Sequence, residues 1–390
     1  MNNVKNQQYK GAPKALMLAS VASMLDLFNT DNIRILRELG YDVDVAANFQ
    51  EGSITSQERV NEYKCELEKS GIGVSDVPIP RSIFHVGEII NSYKIVKTLV
   101  KENHYQIVHC HSPIGGVVAR LACRKARKNG TKVIYTGHGL HFFKGAPLIN
   151  WILFYPIERI CSTMTDVLIA INQEDFNREK SWNTCRVEYV PGIGVDTVAF
   201  QQITIDKKSI RNELGLAEND FVFMSTGQIS VRKNHEVIIR ALASISDERI
   251  KYLIVGFGEL GQKLKHLTEE LGLGNRVIFA GYRGDVKQLL HAVDAFAFPS
   301  LQEGLPVALM EAMTVGLPVV CSRIRGNVDL VENGKGGYLY DARDVEGFAE
   351  GMQRIVKEDG AERMGMINQD TMKRFDKSVV SKCMAKIYKR

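Results

Sequence analysis

Short apolar runs alternate with segments of helical periodicity along this chain of 390 residues, and this alternation constrains the fold more than any other feature. It is typical of parallel strands joined by helical crossovers, and it argues against a β-sandwich or a helix bundle. The sequence therefore predicts an α/β fold of doubly wound parallel sheets. The strand candidates are 15–19, 42–46, 107–110, 133–135 and 167–171 in the first half, and 221–225, 251–255, 276–280, 295–299 and 318–321 in the second.

Length and composition predict two domains, because a chain of this length with 45% hydrophobic residues exceeds what one core usually serves. The break is expected at 189–196, where a proline and two glycines interrupt the pattern. We expect one Rossmann-like domain over 1–198, beginning with a loose polar tail over 1–14, and another over 199–374. Ligands of such sheets bind at the carboxyl ends of the strands, so two domains facing each other would form a cleft.

Charge and cysteine content restrict the partners and the compartment. A net charge of +5 is too mild for a nucleic-acid-binding protein, so no nucleic acid is expected, yet it is compatible with phosphate ligands or an anionic membrane surface. The seven cysteines are scattered and form no Cys-x-x-Cys pair, which favours a reducing compartment and hence the cytoplasm. No segment reaches the roughly 18 uninterrupted apolar residues of a transmembrane helix.

Two glutamates, Glu303 and Glu311, stand where the predicted strand 295–299 gives way to a helix, with Pro306 suited to its first turn. An ionised carboxylate only accepts hydrogen bonds, so sugar hydroxyls are natural partners, while the N–H groups and dipole of a helix start favour a phosphate. The alternative is a pair of solvated helix carboxylates. The flanking Gly-Leu-Pro and a nearby basic pair favour a sugar-nucleotide site.

That basic pair is Arg232 and Lys233, which follow another predicted strand after a turn at Gly227. Adjacent cations of these two kinds can neutralise a diphosphate and stabilise the negative charge of a departing nucleoside diphosphate. Solvated loop residues are the alternative. We favour phosphate binding because Glu303 and Glu311 belong to the same predicted domain.

His138 lies between two glycines at the end of the strand candidate 133–135, where the backbone can approach a ligand closely. It is our candidate for the reacting end of a substrate, and the alternative is a structural, hydrogen-bonding histidine. His109 and His111 end another strand. Zinc is not favoured there, because strand residues alternate between faces and no third ligand is evident.

Two further patterns suggest other enzyme classes. Asp42-Val-Asp44 matches an acidic triplet that holds divalent metal in other sugar-transferring enzymes, but it alternates as a strand does, which favours a structural role. Gly256 to Gly261 satisfies the dinucleotide fingerprint, which makes a nicotinamide enzyme the obvious rival. The fingerprint also requires an acid at the end of the next strand, and this chain lacks one there, so we disfavour that interpretation.

Taken together, these residues resemble the retaining glycosyltransferases of family four, which have the GT-B fold, and especially the bacterial enzymes of capsular and exopolysaccharide biosynthesis. The resemblance covers nearly the whole chain, and its most specific element is the Glu303 and Glu311 pair. The motifs that carry it are 107–113, 136–139, 190–196, 232–234 and the glutamate pair.

The resemblance implies a nucleotide-sugar donor held mainly by the C-terminal domain and an acceptor that approaches from the N-terminal domain. It makes His138, Glu303 and Lys233 the catalytic candidates, with the first two beside the donor sugar and the lysine on the diphosphate. The implied donor-binding residues are Arg232 and Gly227 at the diphosphate, Gly304 and Leu305 through their backbone N–H groups, Glu311 at the ribose, and Gly281, Tyr282 and Arg283 near the base.

The resemblance also implies that no cofactor and no catalytic metal are needed, since the nucleotide sugar is itself a substrate. It further implies that a final helix, 375–390, packs back on the N-terminal domain. The chain departs from many relatives in two places. Gln228 stands after Gly227 where an arginine is common, and 20–24 lacks the paired glycines of the first loop.

Two further segments bear on the acceptor and the membrane. The segment 84–100 has an apolar stripe with Lys94, Lys97 and Lys101 on another face, and we expect a core helix, with contact between these lysines and anionic lipid as the alternative. The aromatic-rich segment 142–157 is expected to lie in the core rather than to shape an apolar acceptor site.

We therefore expect a cytoplasmic hexosyltransferase in peripheral contact with the inner face of the plasma membrane. It would move a hexose or an N-acetylhexosamine from a UDP-sugar onto a lipid-linked or growing polysaccharide. The rival activities are a sugar-nucleotide epimerase of related fold, an NAD-dependent oxidoreductase, and a sensor that binds the donor without turnover.

Overall fold

The structure is a computed structural model that describes residues 11–357 and 360–390. Contacts divide the chain into two compact units. The first is discontinuous and consists of the residues up to Ile193 together with Val380–Arg390, and the second is Gly194–Val379. The division thus falls after Ile193 rather than after residue 198, and the return to the first unit begins at Val380 rather than 375. Of the expected tail over 1–14, residues 1–10 lie outside the described part, and Lys14 already begins a strand.

The first unit is built on a seven-stranded parallel sheet in the order β3-β2-β1-β4-β5-β6-β7. Its strands are β1 Lys14–Val21, β2 Asp42–Asn48, β3 Gly73–Asp76, β4 Ile107–His111, β5 Lys132–Gly137, β6 Val167–Ala170 and β7 Arg186–Tyr189. Its helices are α1 Ala22–Phe28, α2 Thr30–Glu38, α3 Gln57–Lys69, α4 Val86–Asn103, α5 Pro113–Ala122, α6 Arg124–Arg127, α7 Leu148–Ser162 and α8 Gln173–Lys180.

The second unit is built on a six-stranded parallel sheet in the order β10-β9-β8-β11-β12-β13. Its strands are β8 Phe221–Thr226, β9 Ile250–Val255, β10 Val277–Gly281, β11 Ala295–Phe298, β12 Val319–Ser322 and β13 Gly337–Tyr340. Its helices are α9 Thr197–Gln201, α10 Lys207–Glu213, α11 His235–Ala243, α12 Gly261–Glu270, α13 Val286–Ala292, α14 Val307–Thr314, α15 Asn327–Leu330, α16 Val345–Lys357 and α17 Ala361–Met372, followed by α18 Lys377–Lys389, which ends in the first unit.

The predicted fold class is confirmed, and every strand candidate corresponds to a strand of one of the two sheets. Three strands were missed, namely β3, β7 and β13, and all of them are edge strands. An edge strand has one neighbour instead of two, so it needs less apolar sequence than a central one. The half-exposed residues of β3 and β7 show this directly.

The acidic triplet has a structural role in β2. Asp42 and Asp44 pair in register with the beginning of β1, so they lie at the edge of the sheet opposite the carboxyl ends of its strands. The Asp44 carboxylate accepts a hydrogen bond of 2.7 Å from the hydroxyl of Tyr105, and Lys14 lies within 4.0 Å of both carboxylates. These contacts connect neighbouring strands and loops.

The C-terminal part of α18 lies in the core of the first unit. Val380, Met384, Ile387 and Tyr388 are all buried there, in one cluster with residues of β1, β2 and β4. The Tyr388 hydroxyl is 2.8 Å from Nδ1 of His109 on β4. The end of the chain therefore completes the hydrophobic core that its beginning forms.

The expectation that 142–157 lies in the core is only half correct. Phe142, Trp151, Phe154 and Tyr155 pack in the interior cluster of the first unit. The aliphatic residues of α7, by contrast, lie on the opposite face of the helix and are exposed. A helix that is apolar all round shows no periodic pattern from which the buried face can be read.

Candidate functional site

The loops that follow β8 and β11 carry the predicted site residues of the second unit. These two strands are neighbours in the sheet, and β8 has β9 on its other side, so the strand order reverses between β8 and β11. Open parallel sheets bind ligands outside the carboxyl ends of their strands at such a reversal. The fold therefore brings Arg232 and Lys233 towards Glu303.

Two cations converge on a single carboxylate oxygen. Lys233 Nζ is 2.9 Å and Arg232 Nη1 is 2.6 Å from Oε1 of Glu303. The lysine and glutamate side chains are 12% and 11% exposed, whereas the arginine is 46% exposed, so the cluster is buried at one side and open at the other. The predicted meeting of these three residues is present, and it includes a direct ion pair that the sequence did not suggest.

Asn234 holds the cationic turn in place. It has a left-handed backbone, with φ of 55°, and its side-chain amide donates to the backbone oxygens of Pro299 and Ala342 at 3.0 and 2.6 Å. The N–H of Leu301 also donates to the oxygen of Arg232 at 2.8 Å. These bonds connect the turn to the loops after β11 and β13. Asparagine tolerates a left-handed backbone better than most residues. This tolerance was the only sign in the sequence that Asn234 holds the turn.

Burial lowers the pKa of Lys233, while the nearby Glu303 acts in the opposite direction. The ammonium also lies 4.5 Å from the centre of the Phe298 ring, so one side of it faces an aromatic surface rather than water. A charge in such surroundings acts on a neighbouring ion more strongly than it would in solvent. Lys233 is thus suited to stabilise a developing negative charge.

The glycines of the dinucleotide fingerprint have a packing role. A Cβ on Gly256 would lie 1.9 Å from the oxygen of Gly227, and one on Gly258 would lie 2.2 Å from the oxygen of Ile229. The N–H of Gly227 donates to Val255 at 3.0 Å, so the loops after β8 and β9 run against each other. This close approach explains the glycines without a bound dinucleotide.

The segment between Glu303 and α14 offers backbone donors. Pro306 is the N-cap of α14 rather than part of its first turn. The oxygen of Glu303 accepts from Arg325 Nε at 3.2 Å, which fixes the loop. Within 11–357 and 360–390, no acceptor is found for the N–H groups of Gly304 and Leu305. Their availability is compatible with the predicted contact to sugar or phosphate oxygens.

Glu311 lies in the second turn of α14, as its spacing predicted, but in different surroundings from Glu303. Burial raises the pKa of its carboxyl to about 7, although Lys287 and Lys377 lower it. The carboxyl therefore changes charge close to neutral pH. Sequence reasoning identified the residue but not this property, because its neighbours come from α13 and α18.

The segment after β10 is only partly as expected. Gly281 has a positive φ of 66° that turns the chain, and Tyr282 is 78% exposed beside Phe257, whose ring centre is 6.2 Å away. Arg283, however, binds both carboxylate oxygens of Asp285 and also pairs with Glu213. Its guanidinium is engaged within the protein, so the exposed tyrosine is the better candidate for contact with a base.

His138 follows β5 in the first unit, at the carboxyl edge of that sheet. Its Nε2 is 3.1 Å from Nδ1 of His111, and burial lowers the pKa of His138 to about 4. The ring is therefore neutral at physiological pH and suited to hydrogen bonding. Whether it contacts a substrate stays a prediction.

The reasoning about His109 and His111 was wrong in one respect. Residues two apart on a strand share a face, and the two rings lie together with their centres 4.2 Å apart. His109 contacts the hydroxyls of Tyr388 and Thr136 at 2.8 Å each. Among the described residues, no three His, Cys, Asp or Glu side chains are grouped so that they could hold a metal ion.

Comparison with known proteins identifies the relatives of this chain. Residues 206–372 match the family model "Glycosyl transferases group 1", and residues 16–172 match the model "Glycosyl transferase 4-like". A putative glycosyltransferase EpsD of Bacillus subtilis is 32% identical over 96% of both chains. An Escherichia coli UDP-Gal:alpha-D-GlcNAc-diphosphoundecaprenol alpha-1,3-galactosyltransferase is 32% identical over 69% of this chain and 70% of its own.

Solved structures show the same fold. Anabaena Alr3699/HepE, solved in complex with UDP, matches with a TM-score of 0.76 at 22% identity over 96% of this chain and 99% of that one. WaaG, a glycosyltransferase involved in lipopolysaccharide biosynthesis, matches with a TM-score of 0.70 at 17% identity, over 96% of this chain and 99% of its own. The two parallel-sheet units thus have the GT-B architecture.

Proposed function

The chain belongs to the glycosyltransferase family that these relatives represent, and on this premise we propose that it is a retaining, metal-independent enzyme that uses a UDP-sugar. It transfers a hexose or an N-acetylhexosamine to a lipid-linked or growing polysaccharide. Membership of this family leaves the epimerase and the NAD-dependent oxidoreductase without support.

The observation that carries this proposal is the convergence of Lys233 and Arg232 on one oxygen of Glu303. Because both cations lie around the same carboxylate, an anionic oxygen bound beside Glu303 can meet both of them. The diphosphate of a nucleotide sugar presents such oxygens, and its negative charge increases as the bond to the sugar breaks. Preorganised cations in a partly buried site stabilise that charge in the transition state.

The roles proposed for the remaining residues rest on this placement for those of the second unit and on the family resemblance for His138. Glu303 is held beside the cations, so its carboxylate lies next to the bond between sugar and diphosphate and is suited to act near the anomeric carbon. The N–H groups of Gly304 and Leu305 bind sugar or phosphate oxygens, and Glu311 accepts hydrogen bonds from the ribose hydroxyls. His138, neutral in the first unit, donates or accepts a hydrogen bond at the donor sugar.

The names of relatives support the choice of donor and acceptor. The name of the E. coli relative includes UDP-Gal and a diphosphoundecaprenol-linked acceptor, and the Anabaena protein was solved with UDP-glucose. We infer a UDP-sugar and a lipid-linked acceptor for this chain by that similarity. We further propose a cytoplasmic location with peripheral contact at the inner membrane face. No described helix combines the length and the apolar content that spanning a bilayer requires.

Calorimetric titration without added metal tests the donor site. We expect UDP to bind, GDP and NADH to bind weakly or not at all, and the Glu311→Ala variant to lose affinity for UDP. Binding of NADH alone would overturn the assignment of the site. Transfer from UDP-hexoses with and without EDTA then tests metal independence, and the anomeric configuration of the product, measured by NMR, tests retention.

A further inference from the structure

Helix α7 has an apolar face that is open to solvent. Its exposed residues recur at helical spacing and are between 40% and 80% accessible. They are Leu148, Ile149, Ile152, Leu153, Ile157 and Ile160. A run of large aliphatic side chains along a whole helix is unusual on a protein surface. Such a patch marks a site that contacts another protein, a membrane or a ligand.

No acidic side chain interrupts this face. Glu158 is the only acidic residue of α7, and it is buried, with Oε2 2.8 Å from Nη1 of the buried Arg120. The α7 face therefore carries no negative charge that would oppose contact with an anionic surface.

Basic residues adjoin one end of the face. Ile160 lines a surface cleft together with Leu121, Arg124 and Lys128 of the α5–α6 segment. Arg124, Lys125 and Lys128 are exposed, and the one acid in the cleft, Asp166, is bound at 2.8 Å by Arg127. An aliphatic face bordered by such cations has the composition of a surface that lies on an anionic bilayer.

The other side of the α7 face adjoins the opening of an apolar cavity of about 420 Å³. Ile157 of α7 and Ile83, both exposed, line this cavity together with Ile89 and Phe154. Ser112 and His138 line it as well, so it extends to the carboxyl edge of the sheet. Beside the cavity, Phe84 just before α4 and Val86 and Ile90 in its first turns are exposed. The one acid among them, Glu88, lies 3.4 Å from Nδ1 of His85.

We propose that the α7 face, together with the exposed start of α4, inserts into an anionic lipid bilayer while the α6 cations bind its headgroups. This inference rests on the proposed lipid-linked acceptor, and it adds which surface meets the membrane. The cavity that reaches His138 then opens at the bilayer, where the lipid of an acceptor resides. A second copy of the chain fits this face less well, because pairing would bring two sets of α6 cations together.

Sedimentation of the full-length protein with vesicles tests the proposal. Vesicles of phosphatidylcholine alone are compared with vesicles that also contain phosphatidylglycerol. We expect the Ile152→Ser/Ile160→Ser variant to lower partitioning into both by about tenfold or more, since two inserted side chains are lost. The Arg124→Gln/Lys128→Gln variant should lower it by about tenfold on the anionic vesicles only, and less as salt is added.

Matched controls lie on the second unit. Met366→Ser and Lys265→Gln change an exposed apolar and an exposed basic residue there and should leave partitioning unchanged. The proposal would be refuted if the wild-type protein did not bind the vesicles, or if the α7 variants bound them as well as the wild type does. A dimer in solution that the α7 substitutions dissociate would equally overturn it in favour of self-association.

The two proposals fail separately. If the α7 variants lose vesicle binding but keep their UDP affinity and their transfer to a detergent-solubilised acceptor, both proposals are supported. Transfer by a wild-type protein that does not bind vesicles contradicts only the docking surface. Vesicle binding through α7 by a protein that transfers no sugar contradicts only the proposed function.

Discussion

Replacing Glu311 with glutamine should stabilise the protein at alkaline pH while weakening its binding of the donor. Burial raises the pKa of this carboxyl from 4.5 to about 7. A carboxyl whose pKa is higher in the folded state binds a proton more readily when folded, so its ionisation opposes folding. The loss of stability caused by this ionisation is absent below pH 4.5, increases between pH 4.5 and 7, and is complete above pH 7.

The magnitude follows from the same pKa difference. Each pH unit between the folded and unfolded pKa is worth about 1.4 kcal/mol, so the ionised carboxylate lowers the free energy of unfolding by at most roughly 3 kcal/mol. Glutamine keeps the shape of the side chain and removes the charge, but its amide is also partly desolvated. We therefore expect Glu311→Gln to raise the free energy of unfolding by roughly 1–3 kcal/mol at pH 8 and by almost nothing at pH 4.5.

Urea denaturation followed by far-UV circular dichroism at these two pH values measures the effect. Glu236→Gln is a suitable control, since hydrogen bonds from Arg240 and Lys263 lower the pKa of Glu236. Its substitution should destabilise the protein slightly at pH 8, which is the opposite sign. If Glu311→Gln did not stabilise the protein at pH 8, or stabilised it equally at pH 4.5, the raised pKa of the buried carboxyl would be ruled out.

Four further outcomes are expected. Lys233→Ala should lower turnover at saturating donor by ~10²-fold or more, as loss of a preorganised cation does, and an unaltered initial rate would remove it from the reaction. Glu303→Gln should slow transfer strongly yet bind UDP more tightly, because the two cations are then released for the diphosphate; weaker binding in calorimetry would contradict this. His138→Ala should slow transfer with UDP affinity unchanged, because the neutral ring contacts the donor sugar rather than the nucleotide; a wild-type rate would return the residue to a structural role. Asn234→Ala should cost roughly 1–3 kcal/mol in urea denaturation, and Asn234→Gly should restore only the part due to the left-handed backbone.

The sequence predicted which residues meet but not how they bind one another. Arg232, Lys233 and Glu303 could be brought together because each follows a strand, and parallel strands end at one edge of a sheet. The shared oxygen of Glu303 depends on the exact course of two loops, which Asn234 determines through hydrogen bonds to distant backbone. Such a contact has no local signature in the sequence.

Arg283 and helix α7 show two other limits of sequence reasoning. The guanidinium of Arg283 is engaged by Asp285, two residues away, and by Glu213, which is remote in sequence and not predictable as a partner. In α7, apolar residues occupy every side of the helix, so hydrophobicity alone could not tell the face that packs on the sheet from the face that remains open. Composition predicts burial only where polar residues mark the other side.

The end of α18 has a consequence for the synthesis of this protein. The first unit needs Val380, Met384, Ile387 and Tyr388 for its core, and these residues are synthesised after the whole of the second unit. The second unit is continuous in sequence and has all of its strands before residue 341. We therefore expect the usual order of vectorial folding to be reversed, with the second unit reaching its native state before the first, which must wait until α18 has emerged from the ribosome. Stalled nascent chains that lack α18 should then leave the N-terminal unit open to protease while the C-terminal one resists.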